Sequence, residues 1–208
     1  MSLVGFDPDL VTRSINSVQS AYNELIQAIA TDMQGQFVNG MQDKWACNDA
    51  ISFFQTFKST IDSLITDSNN TFQSVVESMN SAANGWAQQW SAKQFDRIDK
   101  NMDISCIKEN IGGVRGVDPE ATGVAAKLPN IASSAVSALT NAQSAVQNCG
   151  FIGGTSASTL ISSLGKIKTS IESAVNQISN DCQKAIETTS QNYTNLEVKV
   201  SEAFAGTK

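Results

Sequence analysis

Trp45-Ala46-Cys47 interrupts a long helical pattern inside the segment MQDKWACNDA at 41–50, and a thiol beside an indole is a natural place to look for chemistry. A reactive thiol needs a base or a cationic neighbour to ionise it. The chain has no histidine, the commonest general base and metal ligand. Its four cysteines, Cys47, Cys106, Cys149 and Cys182, lie far apart and form no Cys-x-x-Cys, so a zinc or iron–sulfur site is not expected. They read as small buried thiols on helix faces, and their spacing does not choose among the three full pairings that four cysteines allow. Asp7/Asp9 and Asp96/Asp99 sit at helix ends, as caps or solvated faces. There is no Gly-x-Ser-x-Gly elbow. GFIGGTS at 150–156 lacks the lysine and the preceding strand of a phosphate loop and reads as a helix–helix corner. No catalytic, metal-binding or cofactor-binding residue is assigned, and the chain is expected not to be an enzyme. Two features remain: Trp45 in its corner, and Tyr193 with Glu197 four residues on. On a helix, that spacing places a phenol and a carboxylate on one face.

Long helices must position these groups. Val11, Ile15, Val18, Tyr22, Leu25, Ile29, Met33 and Phe37 recur mostly at steps of four and three, one face of a long helix. Asp7-Pro8 suits its start, as cap and first-turn residue. A second stripe runs through Ile51, Phe54, Phe57, Ile61, Leu64, Ser68, Phe72, Val75, Met79, Ala82, Trp86 and Trp90, with Asn48 or Asp49 as cap. Residues 96–118 concentrate charge and carry Gly112, Gly113 and Gly116; they read as a connector with a short helix before the glycines. The pattern restarts with Val124, Leu128, Ile131, Ala135, Leu139, Ala142, Val146 and Cys149. After a corner at 150–158, with Thr155 or Ser156 as cap, a fourth helix follows through Leu160, Leu164, Ile167, Ile171, Ala174, Ile178, Cys182, Ala185, Tyr193, Leu196 and Val200.

GVDPEATG at 116–123 echoes GFDPDLVT at 5–12, and FKSTIDSL at 57–64 aligns with IKTSIESA at 167–174, an internal repeat of about 110 residues. The expected organisation is hairpin one over 1–95, a connector over 96–118 and hairpin two over 119–208. Each hairpin has an apolar stripe without a partner, so the two pack into an elongated all-α four-helix bundle. Alanine and serine in hairpin two allow close approach, and the Phe and Trp residues of hairpin one fill the volume opposite.

The chain has 208 residues, 41% of them hydrophobic and only 16% charged, with a net charge of −6. A negative balance argues against nucleic acid and anionic lipid as main partners. No run approaches the roughly 20 apolar residues of a membrane span, so no membrane insertion is expected. The start, MSLVGFDPDL, lacks the basic region and apolar run of a Sec-type signal peptide.

A hairpin of two long helices with a tryptophan corner resembles the Trp-X-Gly family, the small ESAT-like proteins of bacterial type VII secretion. Trp45 matches the family tryptophan; Cys47 stands where the family has glycine, and Tyr193 with Glu197 matches its Tyr-x-x-x-Asp/Glu motif. The two signals fall one in each hairpin, so the chain resembles a family pair fused into one polypeptide, at about twice the usual length. The resemblance implies a secretion substrate or partner module, made in the cytoplasm and secreted or displayed at the cell surface without a Sec signal. It also implies a secretion ATPase or partner protein reading a composite export signal of Trp45, Tyr193 and Glu197. The alternative is a structural or assembly protein of a bacterial surface or phage particle, in which self-association is the function. Family pairs pack antiparallel. That arrangement ends the second helix near the second corner and brings Cys106 toward Cys149, a candidate disulfide, while the connector runs back along the bundle. Parallel hairpins would instead bring Cys47 toward the Cys149 corner.

Overall fold

The computed structural model describes residues 7–87, 89–149 and 154–205. Helix α1 (Pro8–Ile26) opens as its sequence dictates: the Asp7 carboxylate accepts from the Asp9 and Leu10 amides at 2.9 and 3.1 Å, and Pro8 occupies the first turn. The helix then widens into a π-helical stretch, Gln27–Val38, and closes with α2 (Asn39–Met41). Its exposed side chains show the wider turn. Gln27 bonds Asp32 and Gln34 bonds Asn39, both five residues apart and both at 2.9 Å. The apolar steps from Leu25 to Phe37 are all fours, the local sign of a turn longer than 3.6 residues.

A two-residue strand β1 (Trp45–Ala46) makes the first corner, followed by α3 (Asn48–Trp86). Pairing extends the chain through Cys47, so Cys47 takes the cap position and Asn48 and Asp49 lie inside the helix; neither is the cap. From Trp90 to Asn110 the chain is a strap without a helix, which corrects the expected short helix before the glycines. It reaches the first corner again, turns at Gly112 and Gly113 (φ 58° and 86°), and pairs β2 (Gly116–Val117) antiparallel to β1. Asp118 then accepts from the Glu120 amide at 2.7 Å, as Asp7 does from Asp9, but Asp7 caps α1 whereas Glu120 holds the cap position of α4. Short α4 (Ala121–Ala125), α5 (Leu128–Gln147) and α6 (Gly154–Ala205) complete the chain. Thr155 and Ser156 fall inside α6, while the corner residues 150–153 lie outside the described residues.

The fold is an all-α four-helix bundle of two hairpins. Helix α1 packs on α5, α5 on α6, α6 on α3 and α3 on α1. Gly40 meets Val124, and Asn141 on α5 reaches Glu24 on α1 at 3.5 Å, so α1 and α5 run antiparallel. The end of α5 and the start of α6 therefore lie at the opposite end from the first corner. The stripes on α1 and α5 are buried throughout, from Val11 to Phe37 and from Leu128 to Cys149. The other two stripes run past the bundle: Trp86 closes α3 exposed, and Leu196 and Val200 near the end of α6 are exposed as well. Phe37, Trp45, Phe53, Phe54 and Phe57 pack ring against ring beneath the first corner.

Candidate functional site

The first corner and the last turns of α6 meet at one end of the molecule. Antiparallel packing causes this, because α6 starts beside the end of α5 and runs back toward the first corner. Between them lies a groove of about 580 Å³. One wall is Tyr193, Thr194, Leu196 and Glu197 on α6; the other is Lys44 and Ala46 beside Trp45, with Ile111, Val114 and Arg115 from the turn before β2.

The expected site residues divide here. Tyr193 and Glu197 share the groove, one half-buried and one exposed. Trp45 sits directly behind it rather than in it. Its side chain is buried, with ring centroids 5.5 Å from Phe53 and 6.1 Å from Phe54, and its indole Nε1 has no hydrogen-bond partner among the described residues. The tryptophan thus shapes the corner from inside while its neighbours Lys44 and Ala46 face the groove. Turned inward against the Phe53 and Phe54 rings, the indole buries a large apolar surface.

The corner is held from both sides. Asp43 adopts φ 61°, the left-handed conformation that asparagine and aspartate tolerate best. The Asp118 amide donates to the Lys44 carbonyl at 2.6 Å, and Lys44 forms an ion pair with Glu120. That hydrogen bond raises the lysine's pKa above its ordinary value. Arg115 pairs with Glu109 across the turn, and Ile111 and Val114 bridge each other, leaving Val114 70% exposed at the tip. An exposed valine, an exposed leucine, a phenol and a carboxylate around one groove can grip a protein surface.

Two of the thiols are held in their protonated form. Cys182 is fully buried, and burial pushes its thiol up to about 12, away from the reactive thiolate. Burial also raises the Cys106 thiol. Among the described residues, no three His, Cys, Asp or Glu side chains converge as metal ligands. The candidate Cys106–Cys149 disulfide is not formed, and the structure corrects it. The strap has already returned by residue 106, so the Cys106 thiol lies against the Val38 carbonyl at the first-corner end. Cys149 closes α5 at the other end, its thiol 2.9 Å from the Val146 carbonyl, a helix of about 30 Å away.

The turn at 111–114 was not marked by the sequence reading as part of a site. Its glycines are the signal that could have found it, since two consecutive positive-φ residues close a tight hairpin. Among the described residues, no helix is long and apolar enough to cross a membrane. No protein-family model matches the chain, and no curated protein or solved structure matches it either.

Proposed function

We propose that this chain is a non-enzymatic recognition module, a type VII secretion substrate or partner whose export signal lies at the first corner. The observation that carries the reading is the convergence of Tyr193 and Glu197, from the last helix, on the corner that holds Trp45. A protein partner such as a secretion ATPase would contact the phenol, the carboxylate and the exposed Leu196, while Trp45 supports the corner from within. The reading predicts that Tyr193→Ala and Glu197→Ala each abolish export from a bacterium carrying the secretion machine, with the helical circular-dichroism signal unchanged. Normal export of both variants would overturn it.

A second reading, assembly into a larger bacterial-surface or phage structure, is favoured by Leu196, Val198 and Val200, which are exposed along the end of α6. Light scattering separates the two: discrete monomers support the export reading, and filaments or rings support assembly.

A further inference from the structure

The strap crosses the groove between α1 and α3, and its main chain cannot join a sheet there, because helical backbones have spent their hydrogen bonds internally. Side chains take that part instead, in pairs. Gln19 donates to the Asp96 carbonyl and accepts from the Asp96 amide, both at 3.0 Å. Gln34 grips Asp103 the same way at 2.8 and 2.9 Å, and Asn80 grips Lys93 at 2.8 Å for both bonds. Lys58 and Asp62 divide the work at Met102, each at 2.7 Å. At Ile98 the Tyr22 hydroxyl accepts from the amide at 2.6 Å, and Asn69 donates to the carbonyl at 3.1 Å. Five strap residues thus have both main-chain groups held by helix side chains. Along the strap, Met102 and Ile107 are buried, Phe95, Ile98 and Ile104 are half-buried, Gln94 and Asn101 face outward, and Lys100 donates to the Thr31 hydroxyl at 2.7 Å.

A clamp that bonds N–H and C=O together reads extended polypeptide as such, whatever side chain it carries. Asp96 and Asp103 are exposed, so water could serve their main-chain groups, yet glutamine side chains hold them. We propose that the α1–α3 groove is a binding site for an extended polypeptide, recognised through its main chain, and that the strap is its resident ligand, replaceable by an equivalent segment supplied in trans. The segment that fits has apolar residues at the spacing of 95, 98, 102, 104 and 107, and no proline at the five clamped positions, where an N–H is required. This proposal does not depend on the export reading. In the intact chain the tether gives the strap an overwhelming effective concentration, so exchange needs a cut chain or a local opening.

The test uses the full chain with two engineered protease sites. One lies between Trp90 and Ala92. The other is inserted between Gly112 and Gly113 at the tip of the turn, with both glycines kept for their positive φ. After cleavage, a fluorescent peptide of residues 91–112 is added and its anisotropy followed. Saturable exchange is expected. A peptide N-methylated at Asp96 and Asp103 should bind at least about tenfold more weakly, because the hydrogen bonds those two N–H groups donate to Gln19 and Gln34 are lost. One carrying Gln94→Ala and Asn101→Ala should bind within about threefold, as exposed substitutions do. Equal binding of the N-methylated peptide, or no exchange in a cut protein that keeps its helices, would overturn the proposal. If the cut protein loses its helices, native-state hydrogen exchange of the uncut chain decides. Opening of the amides of Lys93, Asp96, Ile98, Met102 and Asp103 while α1 and α3 stay protected supports a ligand-like strap. Exchange of those amides only together with the helices overturns it.

Discussion

Trp45 shows how a residue's place can be read without its direction. Its position in a corner is legible, because a large ring among Asp, Lys and Asn breaks the helical stripe on either side. Its direction is not legible, because that depends on Phe53 and Phe54, which arrive from the next helix. Burial leaves the indole N–H without a partner among the described residues, an arrangement that costs about 1–3 kcal/mol. Trp45→Phe removes that unpaired donor while keeping most of the ring. It should therefore change unfolding free energy by less than about 1.5 kcal/mol, as tolerated core swaps do. Trp45→Ala loses the ring itself and should cost about 3–5 kcal/mol. Urea denaturation of both variants checks the pair; a Phe variant as damaged as the Ala variant would show that the N–H is satisfied in solution.

At the scale of elements, what decides stability is how closely helices approach. A methyl group added at Gly40 would lie 2.9 Å from a Val124 methyl, tighter than packed carbons tolerate. Gly40→Ala should destabilise the chain by about 1–3 kcal/mol, and adding Val124→Ala should recover part of that loss. Gly85, within α3, meets nothing within 4 Å, so Gly85→Ala should stabilise by about 0.5–1 kcal/mol through helix propensity alone. Thermal melts of the three variants test the contrast. The buried faces of α1 and α5 were readable because each shows the core a single stripe, and period alone reveals a stripe. The end of α3 was not readable. Trp90 keeps the period but sits beyond the helix, its indole donating to Asn80 at 3.0 Å, so its spacing reads as helical although its backbone is not. The strap was hidden more deeply. Its return along the bundle follows from antiparallel hairpins, but most of its clamps are side chains such as Gln19, Gln34, Asn69 and Asn80, amides that look solvated in any periodicity. Tyr193 and Glu197 could be placed on one helix face from spacing, whereas the opposite wall of their groove depends on where the strap ends.

For the molecule as a whole, the buried ionisable groups fix the direction in which pH acts. Tyr22, Cys106 and Cys182 are all pushed upward, in each case chiefly by burial, so folding keeps all three protonated. In the unfolded chain a cysteine ionises near 9.0 and a tyrosine near 10.0. Below those values both states hold the proton and pH does nothing. Above them the unfolded chain releases protons that the folded chain retains, so stability falls as pH rises. Lys44 adds to the same slope, because its bond to Glu120 favours the charged form that high pH removes. For Cys182 the window runs from about 9 to about 12. Across it the thiol alone removes about 1.4 kcal/mol per pH unit. Urea midpoints should therefore be level from pH 7 to 8.5 and decline steadily above 9. Cys182→Ala deletes one of the groups responsible, so its decline should be shallower from 9 to 12 even if its midpoint at pH 7 is lower. Equal slopes for the two proteins would mean that the thiol ionises without unfolding, and that water reaches the α6 face where Cys182 is now fully covered.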